Sequence, residues 1–551
     1  MVFDVIHNLP ATYPNYLTAQ EPQRRHYPHR FLILSCLVLL CLLPRALLSL
    51  QMCSICPDGV LYVQLAEDLD EGHFKQAFQE YNLNVYPMVL AGLHRLGLSW
   101  ETGGMLWGLL MSCLVILPLY GFVRRQFDDT VALVSCLLYA VHPVFIKWSP
   151  ELMRDPTFWL LFILSLYLQW RAVTEVRIGF SLAAGLATTL AVLTRFEGLF
   201  LFIPFCLWPF WRYKALISGR EKAKIAAGWV FSVVVFPALL LLINITWLRN
   251  QSQWVFFYIS PLWRFYSWWN DVIASAPADT AGVMVQSPSG VSFWRMIAIC
   301  VPTMVKSFTP LFALPMLGGW WRWRNVWRRR DHQPLFYVTL AIILATCIHA
   351  WYANELCPRY YLSIVLMASP YAALGLMALS GRILRFVERL QVKAILGYIA
   401  VFSPAAIVAF AGWGFAFAEN FEHRVADVEL GAWVRNEFGP SATLLGSEGI
   451  TSVVAYYARV SCNTLTKNMD DAMVSEKVEG LKPDVIFLIA THRNNLRNPR
   501  PLIDRIKELG YTEMERDDLP RGTQTVLIVL RRGQDKSRVS TAPSNKTTMQ
   551  K

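Results

Sequence analysis

FLILSCLVLLCLLPRALLSLQMCSICPDGVLYVQLA, Phe31 to Ala66, sets a long apolar run directly before an acidic turn. The run from Phe31 to Leu50 is long enough to cross a bilayer, which takes about 20 residues. Past it, Leu61, Tyr62, Leu65, Ala66 and Leu69 recur at helical spacing, which predicts a short helix lying on the membrane. Asp58 stands at the start of that helix. A carboxylate on the surface of an apolar membrane protein is tolerated at a cost, so Asp58 is a candidate for chemistry. Helix capping is the competing account, because Asp is a preferred N-cap.

Composition extends this reading to most of the chain. Of 551 residues 55% are hydrophobic and 16% charged, whereas soluble domains carry roughly 25% charged residues. Mean hydropathy is +0.36. Apolar runs recur at 104–123, at 131–146 and after Asp155. Residues 178–211 are too long for one span, so Thr194-Arg195-Phe196-Glu197-Gly198 marks a turn near a membrane face. Further runs centre near Val235, Thr303, Ala341, Met367 and Val408. The total is about eleven spans, the pattern of a polytopic α-helical membrane protein. The 21 Trp, 21 Tyr and 32 Phe fit it, since aromatic side chains gather at the two interfaces.

The net charge of +12 does not indicate nucleic acid. Its clusters at Arg124-Arg125, Arg171 to Arg177, Arg212 to Lys224, Arg322 to Arg330 and Arg382 to Lys393 fall on one side of that topology, together with the basic N-terminal arm. Loops of this kind orient a membrane protein. The expectation is an N-terminus inside, a C-terminus outside, and the Asp58, Asp155, Arg195 and Arg359 segments on the outer face. No cleavable signal peptide is recognisable ahead of the first run. Trp320 to Arg330 reads as an interfacial aromatic and basic anchor.

Residues 1–29 read as a cytoplasmic arm, 30–419 as the membrane domain with a first outer loop at 51–99, and 533–551 as a disordered tail. From 420 to 532 the composition shifts. Strand-like runs at Ala442–Gly446, Asp484–Ala490 and Thr525–Leu530 alternate with helical patterns such as Leu502, Ile503, Ile506 and Leu509, which predicts a small extracytoplasmic α/β domain. Of the 11 Cys, most are small apolar fillers of spans. Cys53 and Cys56 read as a local disulfide or two thiols.

Two outer-face acids, Asp58 and Asp155, stand with Tyr62, Lys147, Glu151, Arg154 and Arg195 in an otherwise apolar wall. Asp155, followed by Pro156, is also placed to cap its helix. Asp58-x-x-x-Tyr62-x-x-x-Ala66 resembles the first outer loop of the C superfamily (GT-C) of lipid-sugar-dependent glycosyltransferases, and an acid at the start of the fourth span recurs there. Thr194-Arg195-Phe196-Glu197-Gly198 is similar to a TR-x-E-G turn, and Arg359-Tyr360 to an RY pair, in the protein O-mannosyltransferase and aminoarabinose-transferase branch, including family 39. The resemblance covers roughly residues 30–420. It implies a polyprenyl-phosphate-linked sugar as donor, a lipid, glycan or protein as acceptor, and a bacterial inner membrane. It also implies Asp58 and Asp155 as the catalytic acids, with Glu197 and Tyr360 beside the substrate. Relatives carry Asp-Glu where this chain has Asp58-Gly59, which speaks against a tight metal site; a divalent metal is possible but not required, and no metal ligand is assigned.

The chemistry follows from the groups themselves. A sugar on polyprenyl phosphate already has a stabilised leaving group, so the need is for a base at the acceptor hydroxyl and cations at the departing phosphate. Asp58 supplies the base, with Tyr62 four residues on along the same helix face. Lys147, Arg154, Arg195 and Arg359 are the candidate cations, Arg being suited to bidentate phosphate contacts. Interfacial snorkelling is the bland alternative for each. Glu151 and Asp155 orient the acceptor or those cations, and one displacement inverts the anomeric carbon. His349 reads as a packed residue near a span end. The alternative function is a lipid or sugar transporter or flippase, which should show charges near the midplane and repeated halves; here charges gather at one face and no repeat is visible.

Overall fold

The computed structural model describes residues 30–74, 76–77, 84–216, 218–246, 293–322, 324, 329–353, 356–389, 394–418, 422–447, 449–465, 469, 471–489, 500–514 and 527–532. The expected arm, the expected tail and part of the Trp320–Arg330 anchor lie outside the described residues. The chain divides into two units, one of Met1–Gln51 with Leu61–Glu419, the other of Met52–Val60 with Asn420–Lys551.

The larger unit is helical. It begins with α1 (Arg30–Ser49), α2 (Pro57–Asp70), whose first turn clusters with the other unit, and α3 (Val85–Arg95). Then come α4 (Trp100–Leu114), α5 (Ile116–Gln126), α6 (Asp129–Val141), α7 (Pro143–Trp148), α8 (Asp155–Glu175) and α9 (Ile178–Thr194). A 3-10 turn, Phe196–Leu201, leads to α10 (Phe202–Ala215) and α11 (Gly219–Thr246). After α12 (Phe293–Arg322) and α13 (Gln333–Ala353), a second 3-10 turn, Pro358–Tyr361, opens α14 (Leu362–Arg389), followed by α15 (Ala394–Phe417). Among the described residues, six helical stretches are long and apolar enough to cross a membrane: Phe31–Ser49, Trp100–Gln126, Asp155–Glu175, Trp294–Arg322, Gln333–Trp351 and Pro358–Val387. Asp129–Val141, Ile178–Thr194 and Ser403–Phe417 are apolar but shorter. The chain is an integral membrane protein.

Lipid offers no hydrophobic drive between helices, so polar contacts and close packing carry their association. Between α8 and α9, Ser165 and Thr188 hydroxyls lie 2.6 Å apart, and Gln169 Nε2 donates to Ser165 Oγ at 2.9 Å. At the Glu175 end of α8, basic side chains are paired: Arg171 with Glu175 at 2.7 Å, Arg125 with Glu175 at 3.4 Å, and Arg124 with Asp129 at 2.9 Å. The connection into α13 docks on the core through Asp331 and His332, both fully buried. Arg329 pairs with Asp331, Trp208 Nε1 donates to the Asp331 carbonyl, and His332 Nδ1 meets the Tyr371 hydroxyl at 3.1 Å. Burial pushes the His332 imidazole down to about 4, against the pull of Asp331.

The face of α2 expected against lipid is packed against protein instead. Tyr62, Leu65, Ala66 and Leu69 are buried in one cluster with Tyr86, Leu90 and Ala91 of α3 and Val192 and Leu193 of α9. Helical spacing marks an apolar face but not what covers it.

The second unit contains α16 (Glu422–Phe438), β1 (Thr443–Ser447), α17 (Ile450–Ala458), β2 (Ser461–Leu465), α18 (Asp471–Leu481), β3 (Val485–Ile489), α19 (Arg500–Glu508), β4 (Tyr511–Glu513) and β5 (Leu527–Arg532). The strands form one sheet in the order β2-β1-β3-β5-β4. β1 pairs in parallel with β2 and β3, whereas β5 runs antiparallel to β3 and β4. β2 and β4 are edge strands that the sequence reading misses, since Ser461 to Leu465 is mostly half-exposed and β4 spans three residues. Cys53 is exposed and Cys56 buried, and no disulfide joins them.

Candidate active site

Three sequence-flagged residues meet in one buried cluster in the larger unit. Asp155 lies in the first turn of α8, Arg195 follows the last residue of α9, and Glu197 sits in the 3-10 turn beyond. Arg195 Nη1 donates to Asp155 Oδ1 at 2.5 Å and Nη2 to Glu197 Oε1 at 2.5 Å. All three side chains are 3–4% exposed. Burial opposes the guanidinium charge, but the two carboxylates hold Arg195 above its ordinary range. Its plane also lies over the Tyr360 ring at 5.1 Å and the Phe158 ring at 5.7 Å.

The turn that delivers Arg195 and Glu197 depends on Gly198. A Cβ there would lie 2.5 Å from Val192 N and 2.6 Å from Ala191 C, so only a glycine lets the turn fold back onto the last turn of α9. The capping account of Asp155 gives way to this geometry. Arg154 is the residue flanking α8, it makes no side-chain cap bond, and the Asp155 carboxylate faces Arg195.

The other cations lie around the cluster and differ from Arg195 in being half-exposed. Arg154 stacks over the Tyr62 ring at 5.9 Å. Arg359 lies over Trp148 at 5.4 Å and Tyr360 at 5.6 Å, and its Nη1 is 2.9 Å from Met153 Sδ. Lys147 lies over Trp148 at 5.4 Å. Glu151, on the same connection as Arg154, is 1% exposed. Tyr62 is buried, edge-on to Tyr86 at 5.3 Å. The turn bearing Arg359 and Tyr360 is fixed by Ser307 Oγ, which donates to the Pro358 carbonyl at 2.7 Å, and His349 packs 5.2 Å from the Tyr360 ring. The structure thus gathers Asp155, Arg195, Glu197, Arg359 and Tyr360, and places Tyr62 with Arg154. Asp58 is half-buried in the first turn of α2, on the segment that clusters with the second unit.

One residue the sequence reading passes over supports this region. Arg45, inside the first apolar run, is fully buried in α1. Nε donates to Ser149 Oγ at 2.9 Å and Nη1 to the Cys41 and Ala140 carbonyls at 2.8 Å. Pro143, which has no N–H, ends α6, so Arg45 satisfies a last-turn carbonyl there. It also pins Ser149, where the α7 helix bearing Lys147 gives way to the connection that carries Glu151 and Arg154. A charge in the middle of an apolar run was the available signal. Among the described residues, no three His, Cys, Asp or Glu side chains converge as a metal site.

Residues 85–247 match the family model described as dolichyl-phosphate-mannose-protein mannosyltransferase. Among solved structures, ArnT from Cupriavidus metallidurans bound to undecaprenyl phosphate is 14% identical, with a TM-score of 0.53 over 91% of this chain and 97% of that one. The same enzyme in the apo state gives 13% identity and a TM-score of 0.52. The Archaeoglobus fulgidus oligosaccharyltransferase in the apo form is 14% identical, with a TM-score of 0.51 over 84% of this chain and 70% of that one. No curated protein matches at a significant level. These likenesses show the fold that the chain shares with those two proteins.

Proposed function

We propose that this chain transfers a sugar from a polyprenyl-phosphate donor to a hydroxyl acceptor on a lipid, glycan or protein. The observation that carries this reading is the buried Asp155–Arg195–Glu197 cluster, with the Tyr360 ring near both Arg195 and half-exposed Arg359. It occurs in a chain with the fold of an enzyme solved with undecaprenyl phosphate. Two acids share one guanidinium, so Arg195 is engaged before any substrate arrives. Its role is to fix the site, and the phosphate falls to the cations with exposed surface, Arg154, Arg359 and Lys147.

In the reaction, the acceptor oxygen attacks the anomeric carbon as the bond from that carbon to the phosphate oxygen breaks, inverting the centre. The proton of the acceptor hydroxyl passes to Asp58, and the polyprenyl phosphate leaves as an anion held by the cations. Asp155 and Glu197 position Arg195, while Tyr62 and Tyr360 hold the planes of Arg154 and Arg359. The basic residues gathered at the Glu175 end of α8, opposite Asp155, support an orientation with that end in the cytoplasm. The Asp155 end then faces outward, from a bacterial inner membrane.

The test is transfer by purified protein from radiolabelled polyprenyl-phosphate sugars into membrane extract. Native protein should transfer label, and Asp58→Asn should lose about 10² to 10⁴ of the rate while keeping its melting temperature. Transfer at full rate in Asp58→Asn would remove Asp58 as the base. Movement of intact donor between leaflets, with no glycosidic cleavage, would replace the enzyme by a flippase.

A further inference from the structure

The segment leading into the Asp58 helix is gripped by the second unit. Residues Met52–Val60, between the end of α1 and the first turn of α2, cluster with that unit. Ile55 N donates to the Tyr457 hydroxyl at 3.0 Å, and Arg424 Nη1 donates to the Ser54 carbonyl at 3.1 Å. Pro57 Cγ lies 3.9 Å from the position a Cβ would take on Gly449. Ser54, Ile55 and Cys56 are 5–7% exposed in a stretch that is neither helix nor strand up to Pro57. Two consecutive residues thus give a backbone group to side chains more than 350 positions away, where a connecting loop ordinarily turns such groups to water.

The gripping residues are themselves fixed by packing. Arg424 is on α16 and Tyr457 on α17, and these helices lie so close that a Cβ on Gly431 would meet Tyr457 Cβ at 2.7 Å. Gly449, at φ +101°, turns the chain from β1 into α17 where a side chain would be strained.

We infer that the C-terminal domain sets the position of the Asp58 helix, with Tyr457 and Arg424 as positioning residues. This rests on the reading of Asp58 as base. A base must be placed closely, because a shift of about 1 Å at the reacting groups costs on the order of 10²-fold in rate.

The experiment compares full-length native protein with Tyr457→Phe, Arg424→Gln, Arg424→Lys and Asp58→Asn. N-ethylmaleimide labelling, read peptide by peptide by mass spectrometry, reports the segment through buried Cys56 against exposed Cys53. Half-exposed Cys462 in β2 serves as the unfolding control through its labelling rate. Tyr457→Phe and Arg424→Gln should raise Cys56 labelling relative to Cys53 about fivefold, the loss of one ordinary hydrogen bond. Their kcat should fall about tenfold or more with donor KM within twofold, Arg424→Lys should restore most of it, and Cys462 labelling should stay at the native rate. Cys56 labelling unchanged in both variants would overturn the grip. Labelling raised with native kcat would overturn the positioning role. Should Tyr457→Phe raise Cys462 labelling, the Arg424 pair decides. Asp58→Asn at native rate would remove the base and the catalytic part of the inference, while Cys56 protection still decides the grip separately.

Discussion

Replacing Arg195 by Met removes one guanidinium from between two carboxylates that are 3–4% exposed. Its hydrogen bonds to Asp155 Oδ1 at 2.5 Å and to Glu197, from Nη2 at 2.5 Å and from Nε at 3.1 and 3.2 Å, are lost. Breaking a buried ion pair by deleting one partner costs about 3–5 kcal/mol. For a cooperative unit of about 400 residues, an unfolding entropy of roughly 2.1 cal/mol/K per residue converts this to a melting point lower by about 5 °C. Without their cation, Asp155 and Glu197 are left as two buried carboxylates with no opposite charge between them. Adding Asp155→Asn and Glu197→Gln should therefore recover most of the deficit, because the neutral groups carry no uncompensated charge. The assay is tryptophan-fluorescence melting in detergent. A variant curve that overlays the native one, or a triple variant no more stable than Arg195→Met, refutes the buried cluster as a stability element.

Gly198→Ala places a methyl 2.5 Å from Val192 N; it should cost about 1–3 kcal/mol, as overpacking does, and lower transfer by displacing Arg195, which melting and kcat together would register. Arg45→Met removes the donor to the Ala140 carbonyl and one donor to Ser149 Oγ; a loss of about 2–4 kcal/mol is expected, with Arg45→Lys recovering part of it in the same melting assay. His332, held at about 4 by burial, is neutral in the folded state. Its contribution is present above the unfolded value of about 6.5 and lost as pH falls towards 4. His332→Asn should flatten the pH–stability curve in that window, and an unchanged slope would refute the assignment.

The apolar runs and their basic loops were legible because lipid demands about 20 apolar residues per crossing and cytoplasmic loops retain Lys and Arg. The Thr194–Gly198 interruption was legible for the same reason, since nothing else breaks an apolar stretch of that length. Short edge strands such as β4 were not, because three residues are too few to show a periodicity. Nor was the role of Arg45, whose partners beyond its own helix, the Ala140 carbonyl and the Ser149 hydroxyl, are distant in sequence.

Sequence alone determined an apolar, helical membrane chain and pointed to Asp58, Asp155, Arg195 and Arg359 as charges retained in it, since charged residues in apolar chains are costly. Only the tertiary structure decided how the charges divide. It set Arg195 between Asp155 and Glu197 and left Arg154, Arg359 and Lys147 partly exposed. It also tied the Asp58 segment to Tyr457 and Arg424. A residue's charge is written in the chain, but its partners are set by which helix ends meet.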